Sequence, residues 1–473
     1  MPTSTAINKL ITAILPLLLF QPANSIGSDD KYDPTTLVFP SYLHTMGIQK
    51  ATKTHLRLYT KNRVKVRDPQ GIAVVRLKSW DDPSKEKDDD EVTGYGVNSG
   101  ENVIVYNTSM TSLSFYGLNA TGLQALNKPM GIAANESGDV YVADTGNHRI
   151  VRLKNPKKHL KFVRAIGGKG SLVGQFLNPI DVALDSQGMV YVSDTGNHRI
   201  QIIRPDNKLH HWFGKQGVAD GQLWHPTGIA VTDGGERWSY YKDSFIALVD
   251  LDHTRIQKFS LDGEFLKAIR LKDFGYTSGY LAYLVIDYYS NIWITDTKNH
   301  QIHKFDRQLN YLTSFGRKGT GDKEFEEPRG IAVFRRFGQV FVAEKESAQY
   351  YWIGTDVFDF RGEWNSGLGT IELSFFLTEP SFVTLYVEPS DGDKTEVFSK
   401  RQFFSGQQSI YLDGNWKRWS KSQIEHLSKE SNGVSRKMVP ISPGEYHFKL
   451  KVEPTYSSYQ YFDKMVECSV VVE

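Results

Sequence analysis

The chain has 473 residues, of which 12% are aromatic and 23% charged, and a formal net charge of +2. That length is ample for a sizeable core and for two or three domains. The balanced charge lacks the basic footprint that holds nucleic acid, and a single cysteine, Cys468, rules out an intramolecular disulfide.

In chain order, Lys9 precedes an apolar run from Leu10 to Phe20, followed by Ala23-Asn24-Ser25, which puts small residues at positions minus three and minus one of a cleavage site. Residues 1–25 read as a signal peptide and the protein as secreted, whether to a periplasm, a cell surface or the extracellular medium. The run is about half of the ~20 residues that span a bilayer, and it contains Pro16, so no integral span is expected. Residues 26–54 form a lead-in. His55-Leu-Arg-Leu-Tyr-Thr60 then alternates polar and apolar residues, which predicts a short strand.

From there the chain repeats. Asp144-Thr-Gly-Asn-His-Arg-Ile150 recurs intact at Asp194 to Ile200 and, altered, at Asp250 to Ile256, Asp296 to Ile302 and Glu344 to Tyr350, with an eroded copy at Val97 to Val103. A companion Pro-x-Gly-Ile-Ala-Val segment starts at Pro69, Pro129, Pro179, Pro226 and Pro328 and survives as Leu281 to Ile286. The well-preserved copies are spaced 46 to 56 residues apart, enough for four short strands each. Gly131 to Ala134, Val140 to Ala143, Arg149 to Leu153 and His159 to Ile166 carry the strand patterns of one unit, with Asn135-Glu-Ser-Gly138 as the first turn. One such unit cannot bury its own face, so six close into a ring. The last unit, which ends near Phe358, lacks an outer strand, and residues 55–60 are expected to supply it and latch the ring.

Residues 55 to about 358 resemble a six-bladed NHL-repeat β-propeller, a likeness carried by the Asn147-His148-Arg149 triplet and its copies. The predicted fold class is all-β: a propeller over 55–360, then a small β-sandwich over 361–473. In the second domain Phe382 to Val387, Ser409 to Leu412 and Tyr446 to Val452 alternate as strands. There Leu412-Asp413-Gly414 with Pro443-Gly444-Glu445-Tyr446 resembles the immunoglobulin-like sandwich of flagellar hook-capping proteins, which implies a spacer or docking role. Cys468 lies in an apolar terminal strand and reads as a packed side chain.

The recurrent His148, His198, His253 and His300 invite a metal site, but ring symmetry scatters them, whereas a zinc site needs three nitrogens at about 2.1 Å from one ion. They read instead as inter-blade or turn-bracing groups. Asp144, Asp194, Asp250 and Asp296 are expected to accept hydrogen bonds from the turn that follows each. In peptidyl-hydroxyglycine amidating lyase, a related propeller enzyme, zinc ligands stand just after the corresponding proline. The matching residues here are Gln70, Met130, Ile180, Thr227, Ala282 and Arg329, none a histidine.

A sparse polar set, Gln70, Asp181, Thr227, Tyr283 and Arg329, departs from its register at the channel mouth and forms the candidate ligand site; Arg329 and Asp181 also suit an ion pair. Trp238, Trp416, Arg418 and Trp419 interleave aromatic and basic groups and are candidate glycan or polymer contacts, the alternative being core anchors. The acidic loop Asp81 to Glu91 has oxygen donors for calcium but no EF-hand spacing; no other cofactor, catalytic residue or metal ligand is assigned. Sequons at Asn107, Asn119 and Asn135 count only in a eukaryotic secretory route. The expected function is that of an exported, non-enzymatic, monomeric binding or scaffold protein that recognises an extracellular protein or polysaccharide. A propeller hydrolase, lactonase or lyase is the alternative, and a structural envelope component a third.

Overall fold

The computed structural model describes residues 34–40, 49–79, 92–109, 112–157, 159–250, 252–416, 418–419 and 439–473. The signal-peptide segment, the loop Asp81 to Glu91, most of the insertion Asn415 to Met438 and the side chain of Trp419 lie outside them. The chain divides into two units, Met1–Pro34 and Thr35–Glu473, and every strand and helix of the described residues belongs to the second.

Among the described residues, eight antiparallel sheets form. Six follow one another as blades, each built outward from an innermost strand: Pro69–Val75, Ile132–Ala134, Val182–Leu184, Ile229–Asp233, Leu281–Ile286 and Ile331–Phe334. Each innermost strand touches that of the next blade, and the sixth touches the first, so the ring is closed. In the second blade the order is Ile132–Ala134, Asp139–Asp144, Arg149–Lys154 and Lys161–Ile166. Apolar residues on both faces of its middle strands pack against the neighbouring blades, which is why Val140, Tyr141, Val142 and Ala143 are buried in succession rather than alternately.

The latch differs from expectation. Residues Lys53–Tyr59 form a helix, and the outer strand of the last blade comes from earlier in the chain. Leu37 pairs with Ile353 and Val38 with Trp352, while Lys50 pairs with Gln349 and Ala51 with Ala348. The alternation over 55–60 also fits a short helix in which Leu56 and Tyr59 share a face and Leu58 stays exposed, and left-handed Lys61 and Asn62 end it.

The remaining two sheets form the sandwich. One orders Val357–Asn365, Thr370–Leu377, Gly406–Leu412 and Arg418–Trp419; the other orders Thr395–Phe403, Ser381–Pro389, Gly444–Pro454 and Lys464–Val472. Their core holds Leu373, Phe375, Leu385, Phe448 and Leu450. Cys468 packs against it, and burial pushes its thiol up to about 12, which leaves it un-ionised at neutral pH.

The sandwich is fastened to the ring by buried polar groups. Tyr289 donates to Thr455 Oγ1 at 2.7 Å, and Lys304 of the fifth blade is seated against the Thr378 carbonyl and the Glu379 carboxylate. Asp356, fully buried, accepts from the backbone and hydroxyls of Thr35 and Thr36 and from Lys464 Nζ at 2.7 Å. Burial alone would raise this carboxyl, but Lys464 and the two threonines outweigh it and hold it below the ordinary value.

One carboxylate therefore joins the N-terminal latch to the last strand of the chain. Asp356→Ala is expected to cost on the order of 3 kcal/mol in denaturant unfolding, because it leaves the backbone and hydroxyl donors of Thr35 and Thr36 without an acceptor and removes the partner of the half-buried Lys464. Amide exchange should accelerate at Leu37 and Val38 before it does at the inner strands.

Candidate functional site

The repeated residues are consumed by the ring itself. Asp144 accepts the N–H of Asn127 (2.7 Å) and Nε–H of Arg149 (2.7 Å). Asp194 does the same with Leu177 (2.7 Å) and Arg199 (2.8 Å), and Asp250 with Trp224 (3.2 Å) and Arg255 (2.8 Å). Each carboxylate thus fixes the loop that leads into its own blade's innermost strand. The backbone of the following turn, the partner expected from sequence, bonds Asp296 through Lys298 (3.1 Å) and Asn299 (3.0 Å), whereas at Asp144 and Asp194 the turn contributes the side-chain amides of Asn147 and Asn197, each at 2.9 Å.

The histidines link neighbouring blades. His148, His198 and His300 adopt left-handed backbone conformations, with φ of 54°, 54° and 58°. Their Nδ1 atoms accept the N–H just ahead of the next blade's proline: His148 from Asn178 (3.0 Å), His198 from His225 (3.1 Å) and His300 from Glu327 (3.1 Å). In the first blade Asn102 takes this role towards Lys128 (2.7 Å). Thr145 and Thr195 reinforce the link by donating to the carbonyls of Pro179 and Pro226, both at 2.6 Å. His253 stands one residue early in its copy and does something else. It stacks on Tyr280 with ring centroids 3.7 Å apart, and its Nδ1 donates to the Leu281 carbonyl at 2.7 Å. Burial lowers its pKa, so the ring is neutral with the proton on Nδ1.

The companion motif builds the channel in tiers. The residue after each proline faces one end, and Gln70, Met130, Ile180, Thr227, Ala282 and Arg329 together ring a cavity of about 760 Å³. The next position forms the waist: Gly71, Gly131, Asp181, Gly228, Tyr283 and Gly330. Glycine is needed there because a Cβ on Gly131, Gly228 or Gly330 would collide with the backbone of the following blade. Gly71 and Gly131 also donate across the seam to the carbonyls of Met130 (2.9 Å) and Ile180 (2.8 Å).

Asp181 and Tyr283, the two waist residues with side chains, are buried, and Tyr283 borders the cavities on both sides of the waist. Beyond them a second cavity of about 500 Å³ opens among Arg76, Lys78, Asp185, Arg237 and Arg335. Asp181 accepts the N–H groups of Val182 (2.9 Å) and Ile229 (3.1 Å). Burial outweighs those two bonds and lifts its pKa to about 7. Burial, with Asp181 nearby, also pushes the Tyr283 phenol well above its ordinary value, so it stays a donor, bonded to Gln70 Oε1 at 3.2 Å.

Of the sequence-predicted site residues, Gln70, Thr227, Tyr283 and Arg329 line the mouth cavity together, while Asp181 does not join them and borders the second cavity. Arg329 does not pair with Asp181; it pairs with Asp68 and, at 3.3 Å, with Glu327. Gln70 Nε2 donates to the same Asp68 carboxylate at 2.9 Å, so a polar chain runs from the waist to the rim. Sequence reasoning missed His225, whose Nδ1 is 2.8 Å from Asp252, and the His253–Tyr280 stack. The available signal was the register just before the companion segment, where His225 precedes Pro226 and Tyr280 precedes Leu281, which replaces the proline.

The aromatic candidates do not converge on one face. Trp238 borders the second cavity with Arg237 and Arg336 stacked on it, each 4.9 Å from the ring. Trp416 packs edge-on against Tyr446 in the sandwich core, and Arg418 lies over Phe403 at 4.8 Å. Among the described residues no three His, Cys, Asp or Glu side chains are grouped to hold a metal. Nor does the waist fit calcium, which takes about six to eight oxygens: its single carboxylate is held by two amides.

The NHL repeat matches residues 126–153 and 176–203. No curated protein matches the sequence. Among solved structures, virginiamycin B lyase from Staphylococcus aureus is 17% identical, covering 56% of this chain and 78% of its own, with a TM-score of 0.39. A gluconolactonase from Xanthomonas campestris is 13% identical (61% and 86% covered, TM-score 0.41), and the calcium-binding regucalcin from Agrobacterium tumefaciens is 12% identical (61% and 92% covered, TM-score 0.37). At these values no residue role or activity carries over to this chain.

The raised Asp181 pKa has a measurable sign. Its contribution to stability is full below the ordinary value of 3.8 and is lost as the pH rises through about 7, because only the protonated form is at ease when buried. The Tm of Asp181→Asn minus that of wild type should therefore climb between about pH 4 and 7 and level off above; a difference flat across that window would contradict the assignment.

Proposed function

We propose that this chain is an exported, monomeric recognition protein. Its propeller binds a polar extracellular partner, a protein segment or a polysaccharide, at the channel mouth. The immunoglobulin-like sandwich serves as a docking or spacing module. One observation carries this reading: the groups that recur in the repeat are engaged in holding blades together, whereas the ring of residues in the register after the prolines varies from blade to blade and frames a cavity of about 760 Å³ in which Gln70, Thr227 and Arg329 stand among apolar side chains. A cavity of that size with a few convergent polar groups is the usual form of a binding site. Arg329 at its rim and the exposed His225–Asp252 pair supply charge and directional hydrogen bonds for a polar ligand.

A second reading, a hydrolase, lactonase or lyase, is favoured by Asp181, a buried carboxyl with its pKa near 7 and a phenol in the same waist tier, the combination expected of an acid–base group. The two readings separate experimentally. The full chain is screened on glycan and peptide arrays and, in parallel, on panels of esters and lactones, alongside Arg329→Ala, Gln70→Ala and Asp181→Asn. Recognition predicts array ligands whose affinity falls about tenfold or more in Arg329→Ala, where a charge-assisted bond is lost. Array binding that both mouth variants retain in full, or turnover abolished by Asp181→Asn, would overturn it.

A further inference from the structure

The second strand of every blade but the first sends two aliphatic side chains towards the preceding blade. These are Val140 and Val142, Val190 and Val192, Ile246 and Leu248, Ile292 and Ile294, and Val340 and Val342, all fully buried. Each pair belongs to the apolar cluster that fills its seam. In the first blade the same positions are Gly94 and Gly96: Gly96 pairs with Val105 as Val142 pairs with Val151. No backbone requirement explains them. Neither has a left-handed φ, and a Cβ would meet nothing nearer than 3.8 Å at Gly94 or 3.9 Å at Gly96. They differ in this from the waist glycines.

What the two glycines leave is space. Between the last and first blades lies a cavity of about 410 Å³, walled by Val105, Leu113, Phe341 and Tyr350 and roofed by Leu56 and Tyr59 of the short helix. No Lys, Arg, His, Asp or Glu is among its described lining residues. Three of its amides are engaged within the fold: Asn98 with the backbone of Lys65 and Arg67, Asn107 with that of Val92 and Gly94, and Gln349 with the Glu324 carbonyl and the Glu344 carboxylate.

We propose that this seam is a binding site for an uncharged apolar small molecule, a hydrocarbon chain or flat ring system. The walls are predominantly apolar and hold no partner for a charge, whose burial there would be costly. They equally disfavour a polypeptide segment, since each residue would bring an N–H and a C=O to apolar walls whose Asn98, Asn107 and Gln349 amides are bonded elsewhere.

The test uses the full-length chain and the neutral dye Nile red, with 1-decanol as competitor. Wild type is expected to bind dye saturably with a blue-shifted emission that decanol reverses. Gly94→Val/Gly96→Val restores the side chains of the other blades. It should weaken binding about tenfold or more, as the added methyl groups fill the site, and raise Tm or leave it unchanged. Gly96→Ala, a smaller change that keeps the fold if the double variant does not, should weaken it partially. Absence of saturable binding to wild type, or undiminished binding to either folded variant, overturns the proposal. So does light scattering that shows a wild-type dimer and a monomeric double variant, which would make a second copy the occupant.

Discussion

A side-chain acceptor reaching from one blade to the amide ahead of the next blade's proline, an imidazole nitrogen at three seams and Asn102 at a fourth, is the recurring contact that sets where those next blades begin. Proline has no N–H and restricts the residue before it. Here that residue is left-handed, with φ of 48° at Asn178, 49° at His225 and 53° at Glu327, a conformation that costs roughly 1 kcal/mol or more for a side-chain-bearing residue. The clamp satisfies an amide that would otherwise be stranded, and so stabilises the bend that turns the chain from an outer strand back to the axis. Each such bond is worth only about 1 kcal/mol net, far less than the apolar seams contribute together. Its value is directional: it sets where the next innermost strand begins.

From that constraint the channel follows. Once the proline is placed, the next residue faces the mouth and the one after it the waist, where glycine alone allows the strands to close up. The two exceptions are Asp181 and Tyr283. The charged latch at Asp356 does for the ring's ends what the clamps do for its interior seams, and it draws the sandwich into the same network through Lys464.

The architecture was legible because a heptapeptide with fixed backbone duties cannot drift far, and its copies marked the blades without any knowledge of packing. Asp181 and Tyr283 were visible as departures from glycine in the same register. What escaped was short or displaced. Two strands of two residues each, Leu37–Val38 and Lys50–Ala51, carry no periodicity, and the alternating residues from His55 onward belong to a helix instead of the expected strand. The shift of His253 by one position hid its different task, and the pairing of Arg329 with Asp68 depends on blades that are far apart in sequence. Trp416 shows a different limit: a tryptophan beside basic residues reads equally as a surface platform or a core anchor, and only its half-buried contact with Tyr446 and Phe448 places it against the sandwich core.

The waist also decides what a guest would meet at each end of the ring. Tyr283 borders both cavities and Asp181 only the second, where Arg76, Lys78, Arg237 and Arg335 gather. The two entrances therefore present different chemistry on a shared tyrosine.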